Sequence, residues 1–166
     1  THACAMLARN AAANGLPLTP LCADLRQRDE LPAGAFQLAV SNPPYFAPHT
    51  GVVAEGVRGD ARAELTASLD DVFAAAKRLL QWGGRFCLVY RPERLAALMA
   101  AAAAHGLEPK RLRLVQHTAQ SAPSLLLLEC RRGGKPGLSV EPPLLLHLPD
   151  GGESPDVRRA YFRDKE

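Results

Sequence analysis

The sequence predicts an open α/β sheet with an antiparallel edge. Three observations predict it. Helix and strand patterns run in the order α β β α β α β β, alternating first and then closing on two strands in succession. The segment FQLAVSN (36–42) is a nearly unbroken apolar run, the pattern of a strand covered on both faces. The chain has 166 residues, 47% of them apolar, enough for one core and too apolar for disorder. No internal repeat and no linker divides residues 1–166, so one domain is expected.

Residues 3–14 (ACAMLARNAAAN) are rich in helix formers, and Asn14-Gly15 supplies a left-handed cap. LTPLCADL (18–25) reads as a short strand ending at Asp24, followed by the strand at 36–42. Residues 47–61 hold Gly51, Gly56 and Gly59 without periodicity, the composition of a mobile loop. A helix is expected over 63–81. Ser68 caps its main stretch, Asp70 and Asp71 lie in the first turn, and Lys77 and Arg78 lie near the end. Gly83-Gly84 should stop it before the strand RFCLVY (85–90). Pro92 opens a further helix that ends at Gly106. KRLRLVQH (110–117) alternates basic and apolar residues, as a strand with one wet face does. SLLLLECR (124–131) and PPLLLHL (142–148) follow as extended pieces. Residues 149–166 form a polar tail, allowed to be mobile, with a short helix from Pro155 to Phe162.

No apolar run approaches the ~20 residues of a membrane span, and no secretory signal opens the chain. Cys4, Cys22, Cys87 and Cys130 are widely spaced and the five histidines are scattered. Neither set has metal-ligand spacing, so no metal is expected. The cysteines read as reduced, buried thiols of a cytoplasmic protein, and the histidines as surface or loop residues. Between Glu108 and Lys135 six basic residues stand against two acidic ones, a surface suited to polyanions.

The chemistry concentrates at VSNPPYF (40–46). Pro43 and Pro44 fix their own φ and hold the preceding residues extended. Neither donates an N–H, so the corner is rich in acceptors. The Asn42 side-chain oxygen and the Pro43 carbonyl can together hold the two hydrogens of an exocyclic –NH₂. Tyr45 can stack on the ring that bears it. Such a clamp orients an amine nitrogen for direct displacement on a methyl group, where positioning carries much of the rate. A plain tight turn is the bland alternative.

These residues resemble motif IV of class I S-adenosylmethionine-dependent N-methyltransferases, which have a Rossmann-like fold. Further stretches carry a more specific resemblance: LARNAAANGL (7–16), ARAEL (61–65), RFCLVYRPERLAALM (85–99), HGLEPKRLRLV (105–115), RRGGKPGLSVEPPLLLH (131–147) and SPDVRRAYF (154–162). Together they resemble the bacterial tRNA(Val) adenine-N6-methyltransferase family, over nearly the whole chain. The resemblance implies methyl transfer from S-adenosyl-L-methionine to adenine N6 in tRNA. It assigns Asn42, Pro43, Pro44 and Tyr45 to the amine clamp, and Asp24 and Asn42 to cofactor contact. Arg91, Lys110, Arg111 and Arg113 become candidates for tRNA contact. Arg62 and Glu64 match a family Ala-Arg-x-Glu segment, although Ala63 stands where His or Tyr is common.

The family's glycine-rich cofactor loop and ribose-binding acid find no match here. The resemblance therefore implies an N-terminally truncated sheet, with strands three to seven present and the first two strands missing. The absent pair belongs between 18–25 and 36–42. Such a piece should bind S-adenosylmethionine very weakly and be inactive by itself, and either pair edges with a second copy or displace its first ~25 residues. Two other readings stay open: methylation of a different planar amine (a release-factor glutamine or guanine N2 of ribosomal RNA), and a non-catalytic RNA-binding module.

Overall fold

The computed structural model describes residues 2–27, 31–43 and 67–163. Pro44, Tyr45, Arg62, Glu64, the expected loop at 47–61 and the expected helix start at 63–66 lie outside them. The chain divides into two compact units, Thr1–Leu31 and Pro32–Glu166.

In the first unit α1 spans His2–Ala13. Gly15, at φ +61°, donates to the Ala12 carbonyl, and Leu16 donates to Ala11 at 2.9 Å. This paired return of the chain is the glycine cap expected at Asn14-Gly15. The strand expected at 18–25 does not form; residues 18–24 are irregular. Pro20 removes a ladder donor, and no described strand pairs with the segment. It closes instead in a local turn, in which Asp24 accepts from the Arg26 N–H and the Gln27 N–H bonds back to the Asp24 carbonyl.

The second unit holds the sheet. Its strands are β1 (Phe36–Ser41), β2 (Leu80–Tyr90), β3 (Leu107–Gln116), β4 (Pro123–Arg132) and β5 (Ser139–Leu145). Their spatial order is β1-β2-β4-β3-β5. The pairs β1/β2 and β3/β5 are parallel, whereas β4 runs antiparallel to both β2 and β3. The antiparallel strand expected at the edge thus lies inside the sheet, and parallel β5 takes the edge.

Helix α2 spans Leu69–Leu79, shorter than the expected 63–81. Ser68 and Asp71 form a reciprocal capping box, each side chain bonding the other's backbone N–H at 3.1 and 2.8 Å. Gly83-Gly84 does not stop this helix. The chain passes directly into β2 at Leu80, which is already extended at ψ 142°. The glycines sit inside β2 at a register jump, where Phe36 faces Leu80 but Leu38 faces Arg85. Gly83 has φ +78°, and a Cβ on Gly84 would lie 2.9 Å from the Gln81 carbonyl oxygen. The bulge therefore requires glycine at both positions. After a single 3₁₀ turn at Pro92–Arg94, α3 spans Leu95–Ala104. Helix α4 spans Pro155–Ala160, capped by the buried Ser154 hydroxyl.

One face of the sheet carries the core. Phe86, Leu88 and Tyr90 of β2 and Leu126, Leu128 and Cys130 of β4 pack with Val72, Phe73 and Ala76 of α2 and Leu98 and Ala102 of α3. Phe73 meets Phe86 edge-on, with ring centroids 5.2 Å apart. Each fully buried large side chain contributes about 1.5–3 kcal/mol. His105 ends α3 and ties it to α2, its Nε2 lying 2.7 Å from Asp70, so it is more than the surface residue expected. Alternate residues of the strands face away from this core. Among them Leu38 and Val40 of β1 are exposed, Val40 at 74%. The apolar run at 36–42 is thus covered on one face only.

Candidate active site

Parallel β1 and β2 end side by side, with Ser41 opposite Leu88, and Asn42 follows at the carboxyl end of β1. In open α/β sheets this is the end where ligands bind. Asn42 is exposed and Pro43 is buried. The buried proline anchors the corner while Asn42 stays at the surface. Ser41 and Asn42 form one lip of a cavity of about 490 Å³. The cavity runs from this lip along the sheet face opposite α2 and α3. Cys87, Val89, Leu127, Glu129, Arg111, Arg113 and Glu141 line it further along. Only its Asn42 end reaches the strand termini, so the candidate reaction centre is that lip and not the floor.

The floor is electrostatically closed on itself. Arg111 Nε lies 3.0 Å from Glu141 and 3.7 Å from Glu129. Arg113 bonds the Asp156 carboxylate of α4 and donates to the Pro142 carbonyl at 2.9 Å. Burial pushes the Cys87 thiol pKa up, and the Glu129 charge adds to it. Lys110 Nζ donates to the Lys135 carbonyl at 3.1 Å. Arg91 follows Tyr90 at the carboxyl end of β2, the same end of the sheet as Asn42, and donates to the Ser124 carbonyl at 3.3 Å. Of the residues singled out in the sequence, the structure brings Asn42, Arg111 and Arg113 to one cavity. Lys110 and Arg91 are not among its lining residues.

Asp24, in the first unit, is held in a local chelate. Its carboxylate accepts from Arg26 Nε at 2.9 Å, from Arg26 Nη2 at 2.5 Å and from the Arg26 N–H at 2.9 Å. These hydrogen bonds lower its pKa from the ordinary 3.8 to about 2. With the further Arg26 Nε contact at 3.1 Å, four hydrogen bonds fill about four lone-pair positions, so a ligand would have to displace Arg26.

The expectation that all four cysteines are buried is corrected. They are free thiols, but only Cys130 is buried; Cys22 is exposed, and Cys4 and Cys87 are intermediate. Cys22 lies in the irregular segment that forms no strand, which is why its side chain finds no core. Among the described residues no three His, Cys, Asp or Glu side chains gather to hold a metal, and no helix is long and apolar enough to cross a membrane. Sequence reasoning missed Glu129 and Glu141. The signal was there in SLLLLECR, whose single acid interrupts a leucine run.

Comparison with solved structures decides the architecture. A predicted O-methyltransferase from Agrobacterium tumefaciens superposes with a TM-score of 0.64 at 21% identity, over 82% of this chain and 59% of that one. The fold is the Rossmann-like class I methyltransferase fold. In sequence, the chain is similar to the tRNA1(Val) (adenine(37)-N6)-methyltransferase of Dickeya chrysanthemi, at 37% identity over 101 residues. That match covers 60% of this chain and 39% of the relative's length. No protein-family model matches.

Proposed function

We propose that this chain is part of an S-adenosylmethionine-dependent N-methyltransferase that modifies adenine N6 in tRNA. The observation that carries this reading is the Asn42-Pro43 corner, exposed at Asn42 and anchored at its buried proline, at the carboxyl end of a parallel strand in a sheet of methyltransferase fold. The similarity to a tRNA adenine methyltransferase supports the choice of base and of RNA. Residues 1–166 form the expected single methyltransferase domain in this reading, and a cytoplasmic setting follows from its RNA substrate.

The cofactor supplies a methyl group on a sulfonium centre. The residues present fit such a ligand in part. Asn42 is exposed at the strand end; the Asp24 carboxylate is filled by Arg26 and would have to release it to take a ligand. In the reaction, the Asn42 oxygen and the Pro43 carbonyl accept the two amine hydrogens. This turns the nitrogen lone pair out of the ring plane and toward the methyl carbon. With S-adenosylmethionine bound, its sulfonium methyl would be the electrophile and the thioether the leaving group, while these two acceptors would hold the nitrogen in line. The nitrogen becomes cationic and then loses a proton, so no strongly basic side chain is required. Tyr45 stacks on the base, and Arg91 contacts the RNA. Arg111 and Arg113 reach RNA only by giving up the carboxylates that hold them.

The test is methyl transfer from labelled S-adenosylmethionine to three acceptors: unfractionated tRNA, ribosomal RNA and a release factor. N6-methyladenosine in the tRNA digest supports the proposal. Label confined to a glutamine side chain or to guanine N2 refutes it.

A further inference from the structure

At the end of the sheet opposite Asn42, the structure places an aromatic ring among unneutralised cations. Trp82 is 76% exposed. Its ring lies against Gly133, where an added Cβ would come within 2.3 Å of it. Gly133 adopts φ +65°, so the turn after β4 is shaped to seat the indole. The same end of the sheet carries Arg85 on β2, Arg131 and Arg132 on β4, Lys110 on β3 and Lys135 after β4, with Arg131 reaching Gly83 beside Trp82. Arg85 and Arg131 are directly opposite each other across the β2/β4 ladder, and both are exposed. Like charges in that position destabilise a sheet.

The neighbouring groups do not cancel this charge. Arg131 Nε donates to the Gly83 carbonyl at 3.1 Å, Arg132 donates to the Leu80 carbonyl, and Lys110 donates to the Lys135 carbonyl. These bonds fix the cations to backbone oxygens and leave their charge in place. Glu108 is the carboxylate of this end; it faces Arg131 in the β3/β4 register, and among the described residues no ion pair joins them. The sequence located positive charge between Glu108 and Lys135 and named Arg91, Lys110, Arg111 and Arg113 for RNA contact; of these Lys110 lies at this end. Arg111 and Arg113 are paired with Glu141, Glu129 and Asp156, so the charge not paired with carboxylates lies at this end.

We propose that Trp82, Arg85 and Arg131 form a second RNA contact, in which the arginines hold phosphates and an unpaired base stacks on the indole. This rests on the reading of the substrate as RNA and goes beyond the amine clamp. A solvent-exposed aromatic face with cations beside it is the recognition chemistry of single-stranded nucleic acid. Along β2 the patch lies roughly 26 Å from the Tyr90 end, at ~3.3 Å per residue. A structured RNA whose target base sits at Asn42 can reach it with a flanking segment.

Trp82 is the chain's sole tryptophan, so its emission reports on this site alone. The purified chain is titrated with unfractionated tRNA, oligoadenylate and heparin. Both RNAs should quench Trp82, and heparin should bind without quenching because it has no base to stack. Trp82→Ala should weaken binding of labelled oligoadenylate about tenfold, the scale of one stacked base, with Trp82→Phe restoring most of it. Arg85→Gln with Arg131→Gln should lower the slope of log affinity against log salt by about 1.4, at ~0.7 per phosphate contact. Far-UV circular dichroism checks that each variant folds.

Unchanged emission at saturating RNA, equal quenching by heparin, or a wild-type salt slope in the double variant overturns the proposal. So does an emission shift that follows protein concentration alone, which makes the patch an interface between copies. Methyl transfer is read on the complete gene product. RNA that quenches Trp82 but accepts no methyl group leaves the patch standing and removes the enzymatic reading. Methylated RNA with unquenched Trp82 does the reverse.

Discussion

Replacing Phe73 by alanine tests whether α2 is seated on β2 as described. Phe73 is fully buried, and its ring meets Phe86 at 5.2 Å with an interplanar angle of 86°. Losing the apolar surface and leaving a cavity costs about 3–5 kcal/mol. The edge-to-face contact accounts for about 0.5–1.5 kcal/mol of that. A domain of this size is stable by only ~5–15 kcal/mol, so the variant should lose a large share of its margin. Phe73→Leu keeps most of the volume and should cost no more than about 1.5 kcal/mol. The assay is urea unfolding followed by circular dichroism, comparing midpoints at constant slope. A double-mutant cycle with Phe86→Leu should then return a coupling of about 0.5–1.5 kcal/mol. A loss below ~1 kcal/mol in Phe73→Ala, or a coupling of zero, would show that the helix does not pack there.

Ser68→Ala removes one half of the capping box and should cost about 1 kcal/mol, read in the same urea titration. A thiol reagent should modify Cys22 rapidly in the native protein and reach Cys130 only on unfolding. Burial raises the Cys130 pKa from 9.0 to about 12. The folded state therefore keeps a proton that the unfolded state gives up. That contribution is complete below pH 9 and is lost as pH rises toward 12, by roughly 1 kcal/mol per pH unit. Melting curves between pH 8 and pH 10.5 should show stability falling with pH in the wild type and falling less steeply in Cys130→Ala, where the raised Cys87 thiol remains. Gly133→Ala forces a side chain into the left-handed region and against the indole ring, so it should cost about 1–2 kcal/mol and shift Trp82 emission. Unshifted emission would contradict the contact.

The elements that the sequence revealed are those with strong periodicity and their own punctuation. Ser68, the acidic first turn and Lys77-Arg78 located α2, and Asn14-Gly15 located the end of α1. The elements it misplaced depend on distant partners. Pattern alone made 18–25 a strand, but a strand exists only where another chain segment completes its ladder, and none of the described residues does so. Gly83-Gly84 looked like a helix stop because glycine commonly is one. Its true use, a bulge between Leu80 and Arg85, is set by the register of β1. The candidate site divides in the same way. Asn42 and Pro43 were legible because local backbone stiffness places them. The neutralisation of Arg111 and Arg113 was not, since Glu141 and Asp156 come from elements 30 and 43 residues further along the chain. Trp82 was missed for the same reason: its exposure depends on how it rests on Gly133, fifty-one positions away.

The central claim is that the Asn42 corner holds the accepting amine. The direct measurement is methyl transfer from labelled S-adenosylmethionine to tRNA by the complete gene product, wild type against Asn42→Ala, with thermal melting recorded on both. The clamp predicts a rate lost by at least ~100-fold with the melting temperature unchanged, since positioning terms of this kind are worth that much. An Asn42→Ala protein that melts normally and methylates tRNA within a few-fold of wild type would contradict it.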